Sequence, residues 1–327
     1  MEKNTLEIQH LCTSFFTQSG EVRAVNDVSI TIPKRSITGI VGESGCGKSM
    51  TARSVIRLLK YPSKIVSGRV LLADKDLTAL SEHDMANVRG EELSMIFQEP
   101  MTSLNPVMKV GPQVREVVLL HRRVTKKEAR DEVLRIFRKV GISEPERRYE
   151  CYPHQLSGGL RQRVMIAMAM ICRPKLIIAD EPTTALDVTV EAQILQLMRS
   201  LRDEIGTSIM LISHNLGVIA QVCDYVYVMY AGRIVEQAET FELFDRPMHP
   251  YTKGLMASVC SLEKKNGMLD TISGVVPNLL YLPEGCSFGP RCCKCCDKCT
   301  EAMPELIEVA PGHLVRCTMA ARKDKHE

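Results

Sequence analysis

The sequence predicts an α/β protein built on a mainly parallel β-sheet, followed by a cysteine-rich and loop-rich C-terminal extension. Three observations support this prediction. Apolar, β-rich runs alternate with helical patterns over roughly the first 240 residues, a glycine-rich turn directly follows one of these runs, and prolines recur after residue 240. Apolar strands that alternate with helices are typical of parallel sheets covered on both faces.

Length and composition fit one large domain with an extension. The chain has 327 residues, of which 45% are apolar and 25% charged, as in average globular proteins. The formal net charge of +3 gives no bias toward nucleic acid or an anionic membrane. No apolar run reaches the roughly 18 residues of a membrane span. Residues 1–9 carry charges and no apolar run, so they predict no secretory signal.

The first hundred or so residues contain four predicted strands and one helix. The strands are short apolar runs at 28–32, 36–41, 68–72 and 93–97. The second strand ends in a glycine-rich turn, Gly42 to Gly47, and a helix is predicted from about Lys48 to Leu59.

Residues 100–173 are predicted to form a helical subdomain. Thr125 and Glu128 have the spacing of a capping box, which starts a helix, and Gly141 ends it. A second helix is predicted to begin after Ser157 and to end before Pro174. The first of these helices carries apolar residues at helical spacing, at Val133, Ile136, Phe137 and Val140.

The α/β pattern returns after this block. Strands are predicted at 176–179, 208–213 and 225–230, and an amphipathic helix at 188–205. The strand at 225–230 is expected to pair with 233–238 across the two-residue turn Ala231-Gly232. Because the periodicity fades at about Thr240, we assign the main domain to 1–240 and the extension to 241–327.

The glycine-rich turn has the complete pattern of a phosphate-binding loop. Gly42-Glu43-Ser44-Gly45-Cys46-Gly47-Lys48-Ser49 matches G-x-x-x-x-G-K-[ST], after a strand and before a helix. Its backbone N–H groups and the helix N-terminus would surround the phosphates, with Lys48 on the β- and γ-phosphates and Ser49 on Mg²⁺. We interpret Cys46 as a small neutral filler. The predicted contacts to the nucleotide are Gly42, Ser44, Gly45, Cys46, Gly47, Lys48, Ser49 and Met50.

Two carboxylates form a second candidate site. Asp180 and Glu181 directly follow the apolar strand at 176–179, at the strand end where ligands bind in open α/β sheets. Asp180 can hold Mg²⁺, directly or through water, and Glu181 can polarise the attacking water. Alone, such a pair also occurs as a solvated strand end; with the phosphate loop it favours nucleotide hydrolysis.

These motifs, with the segment between them, resemble the ATP-binding subunits of ABC transporters. Leu156-Ser157-Gly158-Gly159-Leu160-Arg161-Gln162-Arg163 is similar to the family's signature segment, except that Leu160 stands where the family usually has Gln. The resemblance implies a P-loop NTPase fold with a parallel core, an antiparallel β part and a helical subdomain. It also implies phosphate contacts from Ser157, Gly158 and Gly159 to ATP.

Four further residues match the family by position. Gln98 resembles the Q-loop glutamine that senses Mg²⁺ and the attacking water, and His214 resembles the switch histidine that contacts the γ-phosphate. Ala185-Leu186-Asp187 resembles the D-loop, which implies that Asp187 lies near the nucleotide. Phe15 stands where the family places an aromatic side chain on adenine, with Phe16 as the alternative.

Three segments narrow the resemblance to the dipeptide, oligopeptide and nickel importers: 97–106, 152–159 and 246–252. This resemblance implies a bacterial or archaeal origin and a place on the cytoplasmic face of the membrane. One loop and one signature per chain imply a head-to-tail partner ATPase, expected to be a paralogue. The implied complex adds two permease subunits and an extracytoplasmic binding protein. Peptides are the expected cargo, with nickel or another small solute as the alternative.

Seven of the thirteen cysteines lie between 286 and 317. A disulfide scaffold is normally a short secreted chain, so a metal or cluster site is the better interpretation. The spacing of Cys286, Cys292, Cys299 and Cys317 resembles the iron–sulfur ligands of some peptide-importer subunits. Four thiolates suit a 4Fe–4S cluster or tetrahedral Zn²⁺, and a reduced, metal-free segment is the third alternative. Three additional cysteines leave the ligand register open: Cys293, Cys295 and Cys296.

Two other classes of function compete with transport. An ABC ATPase acting on DNA or ribosomes usually carries a long coiled-coil insert or two cassettes, whereas this chain has one cassette and a short interval from Lys48 to Ser157. Its basic runs alternate with acids, so we expect no nucleic-acid partner. The second alternative is a redox- or metal-sensing regulator built on an ATPase fold, and only the cysteine-rich tail supports it.

Overall fold

The computed structural model describes residues 4–99, 103–184, 186–260 and 272–320. The chain forms two compact units. The first comprises Met1–Thr5, Ile32–Ser36 and Ala79–Leu211, and the second comprises Leu6–Thr31, Ile37–Thr78 and Ile212–Glu327. The second unit therefore contains both the glycine-rich loop and the extension that follows residue 240.

The first unit contains parallel strands and the helical subdomain. Leu93–Ile96 and Leu176–Asp180 pair in parallel, with Leu93 opposite Leu176. Thr125 and Glu128 form the predicted capping box. The helix that this capping box starts, Lys126–Lys139, buries apolar side chains that include Val133 and Phe137, and these contribute to the core of the helical subdomain. The helices are Glu82–Val88, Val110–His121, Lys126–Lys139, Pro145–Tyr149, Gly158–Met170 and Val188–Ile205.

The second unit contains two groups of strands. One is an antiparallel sheet in the order Gly20–Ile32, Leu6–Thr17, Ser63–Leu72, Lys75–Asp76. In the other, Ile37–Val41 runs parallel to Tyr225–Tyr230, which pairs antiparallel with Arg233–Glu239 across the predicted turn Ala231-Gly232. The helices of this unit are Lys48–Val55, Leu216–Val222, Thr240–Asp245, Pro250–Cys260 and Asp297–Glu301. The strand Ser208–Ser213 crosses from the first unit into the second.

One prediction about the second unit was wrong in extent. The helix after the glycine-rich loop ends at Val55 instead of Leu59, because Arg57 adopts a left-handed φ of 54° and turns the chain. Within the extension, Ile307–Ala310 and His313–Val315 form a hairpin that the sequence did not predict, and His313–Val315 pairs with Arg233–Glu239.

A buried carboxylate attaches the extension to its unit. Glu236 is 0% exposed and accepts hydrogen bonds from the backbone N–H groups of Met248 (2.6 Å) and His249 (3.0 Å). Its third partner is His313 Nε2, at 2.8 Å. A buried charge is tolerated only when it is well hydrogen-bonded, so these segments fold together. No helix in the described part of the chain is long and apolar enough to cross a membrane.

Candidate functional site

The glycine-rich loop connects the strand Ile37–Val41 to the helix Lys48–Val55. Gly42 and Gly47 have φ angles of 154° and 108°. A Cβ at Gly42 would lie 2.2 Å from the carbonyl oxygen of Met229, and one at Gly47 would lie 2.3 Å from that of Ala24. Only glycine fits at these two positions, as the phosphate-loop prediction requires.

The side chains of the loop have the properties expected for an anion site. Lys48 is 5% exposed, and its Nζ donates to the carbonyl oxygens of Gly42 (2.7 Å) and Glu43 (3.0 Å). Burial raises the pKa of the Cys46 thiol, which therefore stays neutral, as its interpretation as a filler requires. The exposed positions of the loop are Ser44 and Gly45, and Ser49 and Met50 lie in the first helical turn at intermediate exposure.

In the first unit, the predicted carboxylates occupy the end of the strand Leu176–Asp180. Asp180 is 3% exposed. Glu181 has a φ of 49°, a conformation that few non-glycine residues adopt and that recurs at active sites. Its Oε2 accepts hydrogen bonds from Gln98 Nε2 at 2.9 Å and Thr184 Oγ1 at 3.0 Å. The structure thus brings two sequence-predicted residues, Gln98 and Glu181, together.

The signature segment and the D-loop aspartate both cap helices. Exposed Ser157 is the N-cap of Gly158–Met170, and its Oγ accepts the N–H of Leu160 at 3.4 Å. Gly158 and Gly159 form the first turn. Asp187 is the N-cap of Val188–Ile205, and its Oδ1 accepts the N–H of Val190 at 2.9 Å. Ser157 and Asp187, both predicted to lie near a nucleotide, thus occupy the positively polarised N-termini of two helices.

The remaining predicted nucleotide contacts lie in the second unit. His214 is exposed directly after the strand Ser208–Ser213. Phe15 is half-buried in the strand Leu6–Thr17, whereas Phe16 is 42% exposed, with Lys64 Nζ 4.6 Å from its ring centroid. The structure does not choose between the two rings. Ala185 of the D-loop and residues 100–102 of the Q-loop segment lie outside the described residues.

The four predicted cluster ligands lie in one region of the extension. Burial raises the pKa of the Cys286 thiol, and Cys299 and Cys317 are near enough to raise it further. Burial also raises the pKa of Cys292 to about 11, with smaller contributions from cysteines that include Cys286 and Cys317. Among the described residues, however, no group of three or more His, Cys, Asp or Glu side chains is arranged to hold a metal ion.

Two contacts of the phosphate loop, and one buried acid elsewhere in the second unit, were not found from the sequence. Glu43 pairs with Arg291 and donates its backbone N–H to Tyr251. Glu236 is the buried acceptor described above. The segment 246–252 resembles the importer family, but only the fold places Tyr251 against the loop.

The chemistry of these groups defines a class of protein. A loop of inward-turned backbone with a buried lysine fits the phosphates of a nucleotide. A carboxylate held by a glutamine and a threonine at a strand end can orient and polarise water. A chain with both is a P-loop nucleoside triphosphatase.

Two family models match the chain: "ABC transporter" over residues 25–184, and "Oligopeptide/dipeptide transporter, C-terminal region" over 235–299. The probable peptide ABC transporter ATP-binding protein y4tR of Sinorhizobium fredii is 51% identical, over 95% of this chain and 94% of its own length. The oligopeptide transport ATP-binding protein AppD of Bacillus subtilis is 49% identical over 95% of each chain. The chain therefore belongs to the family of ABC transporter ATP-binding subunits, and it is an ATPase.

Solved structures confirm the predicted fold. CbiO1 from Clostridium perfringens, part of the ABC transporter complex cbiONQ, superimposes with a TM-score of 0.64 at 26% identity, over 75% of this chain and 92% of its own. The ATP-binding cassette MJ0796, solved as a dimer bound to ADP and Pi, superimposes with a TM-score of 0.65, over 72% of this chain and 98% of its own. At 24% identity, the second comparison supports the fold alone.

Proposed function

We propose that this chain is the ATP-hydrolysing subunit that powers the import of peptides through a membrane ABC transporter. The observation that carries the proposal is the similarity to peptide transport ATP-binding proteins, which includes the C-terminal region at 235–299 as well as the ATPase domain. Dipeptides and oligopeptides are the proposed cargo. Nickel or another small solute is the alternative.

The residue roles are inferred from the motifs, and the hydrogen bonds of Glu181 support its role. Lys48 neutralises the β- and γ-phosphates of ATP, and His214 contacts the γ-phosphate. Glu181, oriented by Gln98 and Thr184, polarises the attacking water. From its position in the family pattern, Phe15 stacks on the adenine, with Phe16 as the alternative.

Magnesium fits the oxygen donors of this chain. The buried Asp180 carboxylate and the Ser49 hydroxyl are hard ligands of the kind that Mg²⁺ takes together with phosphate oxygens and water, and Gln98 supplies an amide oxygen. When bound, Mg²⁺ neutralises the charge that develops on the phosphates.

The chain has one phosphate loop and one signature, so we propose that it works with a second ATPase subunit. Exposed Ser157 and its glycines then contact ATP on the partner, which we expect to be a paralogue. The assembly includes two membrane permease subunits and an extracytoplasmic binding protein. This arrangement places the chain on the cytoplasmic face of a bacterial or archaeal membrane.

Uptake of labelled di- and oligopeptides in the source cells tests the cargo. Wild-type cells are compared with a chromosomal Glu181→Gln variant and with a Glu204→Gln control, which changes an exposed carboxylate. Loss of peptide uptake in Glu181→Gln alone supports the proposal. Normal peptide uptake, with the variant protein present, would exclude peptides and favour nickel or another solute.

We also propose that Cys286, Cys292, Cys299 and Cys317 bind a 4Fe–4S cluster. Their spacing and proximity support this, although the described thiols are not arranged for a metal and would have to converge. Anaerobic purification followed by iron, sulfide and zinc assays tests it. Iron and sulfide in equal amounts would support the cluster. Zinc without sulfide would show a zinc site instead. The absence of both metals would show that the segment binds no metal.

A further inference from the structure

A partly buried ion pair joins the cysteine-rich extension to the phosphate loop. Arg291 Nη1 donates to Glu43 Oε2 at 2.7 Å, and Arg291 Nη2 donates to Glu43 Oε1 at 3.1 Å. The Arg291 side chain is 5% exposed. Because a two-pronged guanidinium–carboxylate pair fixes both distance and orientation, the position of the Glu43 side chain follows that of Arg291.

A second residue of the extension holds the backbone of the same loop residue. The Tyr251 hydroxyl accepts the N–H of Glu43 at 2.8 Å. Tyr251 is fully buried, and this burial raises the pKa of its hydroxyl, which stays neutral. The extension therefore fixes Glu43 at two points, one on the side chain and one on the main chain.

Arg291 is itself held in place. Its Nε donates to the carbonyl oxygen of Ser273 at 2.9 Å, and Nη2 donates to that of Ile272 at 3.2 Å. The hydrogen bond with Glu43 raises the pKa of Arg291, so the guanidinium remains charged. It also lies over the ring of Tyr230, 5.9 Å from the centroid. The Arg291 side chain is thus held in one orientation by contacts on its Nε, Nη1 and Nη2 atoms.

The ion pair has an electrostatic consequence for the ligand. Glu43 is an acid within a loop that binds an anion, and an unpaired carboxylate there would repel the phosphates. Arg291 neutralises that charge. In addition, Lys48 Nζ donates to the Glu43 carbonyl, so displacement of Glu43 would remove one of the acceptors that position the lysine.

We propose that Arg291 is a positioning residue of the ATP site: it holds Glu43 and neutralises its charge, so that the cysteine-rich extension sets the affinity of the phosphate loop for ATP. Arg291 acts through Glu43 and not by touching ATP. The assignment depends only on ATP binding and is independent of the cargo, so it can fail while the proposed transport function stands.

The test measures the Kd of Mg·ATP on the full-length chain by calorimetry. Arg291→Met, which keeps the length of the side chain but removes charge and donors, is expected to raise Kd about tenfold. The double variant Glu43→Gln/Arg291→Met is expected to bind ATP more tightly than Arg291→Met, because no carboxylate is left unpaired. Arg69→Met is the matched control, since it breaks an exposed arginine–carboxylate pair in the same unit.

A Kd for Arg291→Met within twofold of wild type, or equal to that of Arg69→Met, would overturn the proposal. A double variant as weak as Arg291→Met would also overturn it, since the loss would then not pass through the charge of Glu43. If Arg291→Met does not fold, Arg291→Lys replaces it. Lysine keeps the charge but loses the two-pronged geometry, so a Kd raised about threefold supports the role and an unchanged Kd contradicts it.

Discussion

Gln98 Nε2 and Glu181 Oε2 lie 2.9 Å apart, in a hydrogen bond between the end of one strand and the end of its parallel neighbour. Thr184 donates to the same oxygen. Two donors on one oxygen restrict rotation of the carboxylate. Since Glu181 also has a left-handed backbone, both its main chain and its side chain are constrained.

Glu181→Gln should bind ATP with unchanged affinity and lose turnover by about 10³-fold, because an amide keeps the shape of the side chain but cannot take a proton. ATP hydrolysis by the assembled transporter and ATP binding by the isolated chain measure the two effects. The Glu204→Gln control should behave as wild type. Near-normal turnover in Glu181→Gln would remove Glu181 as the catalytic base.

Gln98→Ala should lower kcat about tenfold, since Glu181 loses one of the donors that orient it. Gln98→Glu should lower kcat further, because it places a second carboxylate against Glu181. Steady-state hydrolysis at saturating ATP is the measurement. Equal rates for wild type and Gln98→Ala would show that the 2.9 Å contact does not contribute to catalysis.

Gly47→Ala should lower the free energy of unfolding by about 3 kcal/mol or more, because the added Cβ collides with the backbone of Ala24. Gly45→Ala should cost only about 1 kcal/mol, since its Cβ meets no atom within 4 Å and only the left-handed backbone opposes it. Urea unfolding without nucleotide compares the two. Equal losses would contradict the steric argument.

The free energy of unfolding should be greatest near pH 6.5, because the pKa values of two buried histidines, His313 and His249, are shifted in opposite directions. Burial acts to lower the pKa of His313, but the carboxylates of Glu236 and Glu242 outweigh it and raise that pKa above the unfolded value of 6.5. Its contribution is therefore complete below about pH 6.5 and is lost as the pH rises through the folded pKa. Burial lowers the pKa of His249 to about 4, so stability also falls as the pH drops below about 6.5.

Unfolding free energies between pH 4 and 9 measure this dependence. His313→Gln should make the free energy of unfolding less dependent on pH above about pH 6.5, and His249→Gln should do the same below about pH 6.5. Because each variant changes a slope on one side only, a general loss of stability does not imitate the result. Slopes that match wild type in both variants would contradict the assignment.

The motifs that lie close together in the sequence were predictable. The turn at Ala231-Gly232 needs two left-handed residues, and its φ angles are 45° and 82°. The helix Val188–Ile205 and the strand Ser208–Ser213 match their predicted bounds, because apolar period and caps specify them locally. For the same reason the phosphate loop was evident from eight consecutive residues.

Contacts between distant residues were not predictable. Glu43 and Arg291 are 248 positions apart, and no local pattern links them. Glu236 lies in a strand, where an acid usually marks the solvent face, yet it is fully buried because its partners come from 12, 13 and 77 positions away. Only the tertiary structure reveals that the Arg291 and Glu236 side chains are buried.

The carboxylate of Glu236 holds the extension at two points, at Met248 and His249 before the first six of the clustered cysteines and at His313 after those six. The chain between these two points is therefore closed by one anchor, and Arg291 attaches it to Glu43 as well. The entropy of closing such a loop depends weakly on length, at roughly 0.6 kcal/mol per doubling. Changes of length between the two ends, away from Arg291 and the cysteines, should thus cost little stability, whereas a change at Glu236 would release both ends at once.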